Sequence, residues 1–271
     1  FPYAARIGVA TQTEFIMKVD VAIIGAGSAG LSALRQVKTF TDSFVLVDGG
    51  DLGTTCARVG CMPSKLLIRV ADDYYRRHTF ANRGIEGSDA LHADVPRVLR
   101  YVREQRDRFT AGMIATTEQL AGDRLIRGRA RFLDTHRIAV HNTTIEARRV
   151  VVATGAEPVV PSAWKKFSRR ILTSRNIFEQ DDLPDRVAVI GLGPIGLELG
   201  QALHRLGITV EGFSLQETVG GITDPDVNAA AVEVLQAEFP IHLGAPAELR
   251  VRGDTLEVTS GDNVFAAEKV L

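Results

Sequence analysis

One local pattern occurs twice in this chain and limits its fold more than any other feature. Val19–Ile24 is a short apolar run, Gly25-Ala-Gly27-Ser-Ala-Gly30 follows it, Leu31–Thr39 has helical spacing, and Phe44–Asp48 is a second apolar run. Arg186–Ile190, Gly191-Leu-Gly193-Pro-Ile-Gly196, Leu197–Leu206 and Ile208–Phe213 repeat that order. Strand, tight glycine turn, helix and strand make a right-handed βαβ unit. Its double occurrence predicts an α/β chain of two Rossmann-like dinucleotide-binding domains with parallel sheets. Short strand patterns over 124–146 and beyond 247 add a small β-meander to each. Met17 stands just before the first strand, so residues 1–16 are expected to be a dispensable leader. The first domain is expected over 17–158 and the second over 159–271, with Pro158, Pro161 and Pro184 marking the linker.

The glycine triplets carry the first chemical signal. In G-x-G-x-x-G the first glycine permits the tight turn, the second lets the backbone approach a pyrophosphate, and the third lets helix and strand pack closely. The helix amino terminus then turns its partial positive charge toward the phosphates. Gly25, Gly27 and Gly30 fit these roles, and Asp48, at the end of the next strand, is placed to accept from ribose hydroxyls. Gly191, Gly193 and Gly196 repeat the triplet, but Ser214 stands where Asp48 has its counterpart. No Arg or Lys follows Ser214 to grip a 2′-phosphate, which favours NAD over NADP.

Composition removes other classes. The 271 residues carry 32 Lys+Arg against 33 Asp+Glu, a net charge of -1, which argues against a nucleic-acid or anionic-membrane partner. With 45% hydrophobic residues the chain can repay its ordering entropy. No apolar run approaches the ~18 residues of a membrane span. Without an export signal the expected compartment is the cytoplasm, where structural disulfides are rare. The six histidines show no metal-ligand spacing with Cys or carboxylates, and no metal is expected. Arg97, Arg100, Arg103 and Arg106 fall three apart on a helical stretch at 94–119, and are expected to form a solvated face.

The two cysteines, Cys56 and Cys61, lie five apart in Cys56-Ala-Arg-Val-Gly-Cys61-Met-Pro-Ser-Lys65. On a continuous helix that spacing turns the side chains apart, so only a turn near Val59-Gly60 could join them. Two unrelated buried thiols and a redox pair are both open from the spacing alone.

The whole stretch Asp51-Leu-Gly-Thr-Thr-Cys56-Ala-Arg-Val-Gly-Cys61-Met-Pro-Ser-Lys65 resembles the redox-disulfide signature of the pyridine nucleotide-disulfide oxidoreductases. The two glycine motifs and the Thr154-Gly155 strand end follow in that family's order, over about residues 17–271. Pro-Ser-Lys after the second Cys resembles dihydrolipoamide dehydrogenases and mercuric reductases more than glutathione reductases, and Gly-Leu-Glu198-Leu-Gly200 resembles dihydrolipoamide dehydrogenase. The resemblance implies that FAD is held by Gly25, Gly27, Gly30 and Asp48, with Thr55, Lys65, Thr154 and Gly155 as further cofactor contacts. It implies that NAD is held by Gly191, Gly193, Gly196 and Ser214. Cys56 would exchange with a dithiol substrate, Cys61 would face the flavin, and Lys65 would sit near flavin N5 and pair with Glu198 across the two domains. The implied reaction is dihydrolipoamide + NAD⁺ giving lipoamide + NADH, with a small dithiol or a lipoyl domain as partner and a homodimer as the working form. A related disulfide or metal-ion reductase, such as a mercuric reductase, is the alternative. A truncated, non-catalytic nucleotide-binding module is another.

Three departures stand out. Thr54 replaces a family glycine, Pro194 removes one N–H from the second phosphate turn, and no aromatic residue follows to gate a nicotinamide pocket. The chain also stops before the family's Gly-Asp return segment and its dimerisation domain with the His-Glu acid–base pair. On that reading this stretch alone is expected to hold little FAD and to reduce lipoamide negligibly.

Overall fold

The computed structural model of the chain describes residues 15–271, and the first fourteen positions of the expected leader lie outside them. By contact density the chain forms two units: residues up to Thr55 with Thr110–Ala156, and Cys56–Phe109 with Glu157–Leu271. The expected boundary in the proline-rich stretch lies within two residues of the break after Ala156. The segment 56–109, expected with the first domain, packs instead with the carboxyl-terminal unit.

In the first unit, β1 (Phe15–Ile24), α1 (Ser28–Val37) and β2 (Phe44–Asp48) form the first βαβ unit, and β1 pairs with β2 in parallel. Both strands are buried through their centres, as expected of parallel strands covered on both faces. Leu31, Leu34 and Val37 recur three apart on α1 and point into the core with Ile23 and Leu46. Next in the chain come α2 (Thr55–Val59), α3 (Cys61–Tyr75) and α4 (Val95–Ala121), which as far as Phe109 pack with the second unit. Then come β3 (Leu125–Arg127), β4 (Arg131–Phe132), β5 (Arg137–Val140) and β6 (Thr143–Val152). The sheet order is β3-β2-β1-β6-β5-β4, with β4 and β5 antiparallel to their neighbours. The expected meander is therefore not separate. The long β6 pairs with β1 along its whole length and with β5 at its start, so one mixed sheet absorbs it.

A further expectation changes. The first strand does not begin after Met17: Phe15 and Ile16 are in β1, opposite Thr143 and Thr144 of β6, so the last two leader residues belong to the sheet. The end of β6 is open, with Val152 61% exposed.

In the second unit, β7 (Arg186–Ile190), α5 (Pro194–Arg205) and β8 (Thr209–Ser214) repeat the βαβ unit. α6 (Pro225–Gln236) and β9 (Ile241–Leu243) continue it. α6 starts as its sequence dictates: the Asp224 carboxylate accepts from the N–H groups of Asp226 and Val227, each at 3.0 Å, and Pro225 occupies the first turn. A meander of β10 (Ala247–Arg252), β11 (Thr255–Ser260) and β12 (Asn263–Ala267) follows, and β13 (Lys269–Val270) returns beside β7. Here the meander is a sheet of its own.

The arginine stripe on α4 is the largest departure from the sequence reading. Arg97 and Arg100 are exposed, but Arg106 is only 8% exposed and Arg103 half-buried. Arg103 donates to the carbonyls of Phe178 and Gln180, at 3.3 and 2.5 Å. Arg106 pairs with Glu179 and Asp107. These arginines hold the 178–181 segment, rather than face water.

Candidate active site

In the first unit the three glycines of the motif are not equivalent. A Cβ at Gly30 would stand 1.8 Å from the Gly25 carbonyl oxygen, so α1 can leave the sheet this closely only with glycine there. Gly25 has a φ of +108°, and a Cβ on it would meet the Ala153 carbonyl at 2.2 Å. A Cβ at Gly27 would meet nothing within 4 Å. Gly27 is also the N-cap of α1 and supplies no side-chain acceptor, so the helix's first N–H groups face that open space. Asp48 accepts the Ala26 N–H at 2.6 Å on one oxygen and the Gly50 N–H at 2.8 Å on the other. It ties the glycine turn to the end of β2, and each oxygen keeps a further acceptor direction for a ribose hydroxyl. Thr154 and Gly155 are exposed beyond the end of β6. The tight third glycine, open second glycine and uncapped helix fit a dinucleotide such as FAD.

The second unit repeats this. A Cβ at Gly196 would lie 2.0 Å from the Gly191 carbonyl oxygen, while Gly191 and Gly193 have nothing within 4 Å. Gly193 caps α5 without a side-chain acceptor. Ser214 ends β8 as expected, but it is 6% exposed and its hydroxyl accepts the Gln216 N–H at 3.1 Å. Glu211, the nearest carboxylate on the strand, is taken by His242 at 2.8 Å.

The cysteines lie on either side of a break. α2 ends at Val59, Gly60 adopts φ -128° and ψ -115°, and α3 begins at Cys61. That break is the turn the five-residue spacing requires. Both residues are free thiols, Cys61 exposed and Cys56 half-buried, and the two side chains hydrogen-bond to each other. Pro63 falls in the first turn of α3, where its missing N–H costs nothing. Arg106 reaches back to the Arg58 carbonyl at 3.5 Å and so ties down the end of α2.

Burial pushes the Cys56 thiol above its ordinary pKa; the hydrogen bond and the charge of Cys61 add to this, and a backbone hydrogen bond from Cys61 opposes it. The neutral thiol is therefore favoured in the folded state. Alkylation of reduced Cys56 is expected to rise with pH through a midpoint above that of an unperturbed thiol. Mass spectrometry of peptide-resolved alkylation rates reads this, and a midpoint at or below the ordinary thiol range would contradict it.

Lys65 lies four residues after Cys61, on the same face of α3, and its Nζ meets Glu198 Oε1 at 2.6 Å. Both residues belong to the same unit, not to two. The side chains are 59% and 40% exposed. The large penalty for breaking a buried ion pair does not apply, and an exposed pair contributes only about 0–1 kcal/mol to stability.

The loop before Cys56 carries strain. Thr54 has a φ of +62° and is 7% exposed. A β-branched residue in the left-handed region costs roughly 1–2 kcal/mol.

The pyridine nucleotide-disulphide oxidoreductase family matches over residues 19–271. The chain belongs to this family. Its members bind FAD and NAD(P), which agrees with the two glycine turns above. The chain is similar to a mercuric reductase of Staphylococcus aureus, 34% identical over 80% of this chain and 39% of the relative. It is also similar to a dihydrolipoyl dehydrogenase of Pseudomonas aeruginosa, 31% identical over 94% of this chain and 57% of the relative. The chain thus spans about two fifths to three fifths of the length of these relatives. Among solved structures, LpdA from Mycobacterium tuberculosis superposes with a TM-score of 0.78 at 25% identity, over 93% of this chain and 58% of that one. The HOCl-induced flavoprotein disulfide reductase RclA from Escherichia coli superposes with a TM-score of 0.73 at 21% identity, and shares the fold.

Lys65, Glu198 and the cysteines were legible in the sequence, whereas Arg106 was hidden in an apparently solvated stripe. Among the described residues, no cluster of three or more His, Cys, Asp or Glu could hold a metal ion. No helix among them is long and apolar enough to cross a membrane.

Proposed function

We propose that this chain is the FAD- and NAD-binding portion of an oxidoreductase that oxidises dihydrolipoamide with NAD⁺, using Cys56 and Cys61 as its redox couple. The observation that carries this is the pair of thiols in hydrogen-bonding contact across the Gly60 break, on the helix that also carries Lys65. Gly25, Gly27, Gly30, Asp48, Thr55, Thr154 and Gly155 would hold FAD, with Lys65 near its ring, and Gly191, Gly193, Gly196 and Ser214 would hold the nicotinamide dinucleotide. Bound FAD supplies the two-electron link between disulfide and pyridine nucleotide.

The chain's own part is thiol exchange. A dihydrolipoamide thiolate attacks Cys56 of the Cys56–Cys61 disulfide, forms a mixed disulfide there, and expels Cys61 as thiolate. The second substrate thiolate then attacks its own sulfur partner, closes lipoamide, and releases Cys56. Two electrons pass to the cysteine pair. The same reading makes a lipoyl domain or a free dithiol the partner, a homodimer the working form and the cytoplasm its place.

A metal-ion reductase is the second reading, supported by the similarity to mercuric reductases at an identity close to that of the dihydrolipoyl dehydrogenases. A thiolate pair also suits a soft cation. The whole protein to which this portion belongs, loaded with FAD and given NADH and lipoamide, and separately NADPH and mercuric ion, decides between them. NADH-linked lipoamide reduction as the faster reaction is expected. Mercuric-dependent NADPH oxidation without lipoamide reduction would replace the first reading by the second.

A further inference from the structure

Two turns along from the Lys65–Glu198 contact, the same two helices meet a second time. Asp72 of α3 accepts from Arg205 of α5 at 2.5 Å. The offsets match: Lys65 to Asp72 and Glu198 to Arg205 are each seven residues. Seven residues are about two helical turns, so both contacts fall on one face of each helix, and the helices run in the same direction. We propose that Arg205 and Asp72 are positioning residues that set the register of α3 on α5 in which Lys65 meets Glu198. Its importance for catalysis rests on the role given to that pair above.

Arg205 is built for this. Its Nε and Nη2 donate to the two oxygens of Glu238 at 2.8 and 2.7 Å, while Nη1 donates to Asp72. Gln201 donates to the same Glu238 at 2.8 Å, and the guanidinium lies over the Tyr75 ring, 4.7 Å from its centroid. Its side chain is 20% exposed and that of Glu238 12%, against 59% for Lys65. A planar fork so enclosed is fixed in place, where a lysine would not be. The exposed Lys65–Glu198 pair is too weak to hold two helices in register by itself.

The charges are also crossed. α3 carries Lys then Asp, and α5 carries Glu then Arg. Sliding one helix by two turns would bring Lys65 to Arg205 or Asp72 to Glu198, like against like. A one-turn slip would leave Arg205 half-buried without Asp72. The Cys61 end of α3 also corresponds in register to Pro194 at the start of α5, since Cys61 precedes Lys65, and Pro194 precedes Glu198, by four residues. Register therefore matters for more than Lys65.

The test is acetylation of Lys65 in this chain, quantified by mass spectrometry against Lys165. Asp72→Asn removes the contact between helices and leaves Arg205 with Glu238. It is expected to speed Lys65 labelling about two- to threefold, as release of an exposed ion pair would. It should add nothing in a Glu198→Gln background. Glu211→Gln, which disturbs a carboxylate held by His242 and in neither of the two ion pairs, is expected to lower the melting temperature but leave Lys65 labelling unchanged. Should Asp72→Asn fold poorly, Arg205→Lys gives the same reading, with labelling between wild type and Asp72→Asn. Wild-type labelling in Asp72→Asn, or equal acceleration by Glu211→Gln, would overturn the register lock. If labelling follows the expected order but Glu198→Gln leaves flavin reduction by NADH unchanged in FAD-loaded protein, the lock stands and the catalytic role of the pair falls.

Discussion

Replacing Cys56 with serine in the whole, FAD-loaded protein to which this portion belongs is expected to end NADH-linked lipoamide turnover, with a loss of at least about 10³-fold, as removal of a nucleophile typically gives. Serine can neither form the mixed disulfide nor leave as an anion near neutral pH. Oxidation of NADH by a small artificial electron acceptor should survive, because Cys56 takes no part in dinucleotide binding. The fold should survive as well, since Cys56 is half-buried and the change is close to isosteric. Steady-state rates with lipoamide and with the artificial acceptor separate the two activities. Lipoamide reduction at more than about a tenth of the wild-type rate would remove Cys56 from its role.

The second large effect divides the glycines of one motif. Gly30→Val is expected to destabilise the first unit by about 3–5 kcal/mol, in the range reserved for changes that the backbone cannot absorb. The clash is with the Gly25 carbonyl, and Gly25 is itself pinned. Its N–H donates to the Val47 carbonyl at 2.7 Å, and its Cα side faces Ala153. α1 would have to lift away from the sheet and expose Leu31 and Leu34, both 1% exposed or less. Gly27→Ala should behave differently. It meets nothing within 4 Å, so stability should change by less than about 0.5 kcal/mol. FAD retention should nevertheless fall, because a methyl group would occupy the approach to the uncapped helix terminus. Thermal melts and the flavin-to-protein absorbance ratio report the two effects. Gly27→Ala protein that keeps wild-type flavin content would contradict this assignment of the phosphate site.

How far the sequence spoke depended on whether a feature was local. Strand, glycine turn and helix lie within about thirty consecutive residues, so both βαβ units and the distinct third glycine could be read directly. The Gly60 break was also legible, because the cysteine spacing demanded it. Arg103 and Arg106 were misread because a helical stripe shows which residues share a face but not what covers it. The covering segment, Phe178–Asp181, is some seventy positions away and has no periodic signature. The start of β1 at Phe15 was missed for a similar reason, since its pairing partner is the amino half of β6. Lys65 and Glu198 came from resemblance rather than spacing. Once they are paired, the matched seven-residue offsets with crossed charges could have pointed to Asp72 and Arg205.

The central claim is that Cys56 and Cys61 form a couple that pyridine nucleotide reduces. Its most direct test is anaerobic alkylation of the oxidised, FAD-loaded protein before and after addition of NADH, with mass spectrometry of the peptides that carry Cys56 and Cys61. No labelling is expected before NADH, and one label on each cysteine after it. Equal labelling with and without NADH, or a Cys56–Cys61 disulfide that survives NADH, would contradict it.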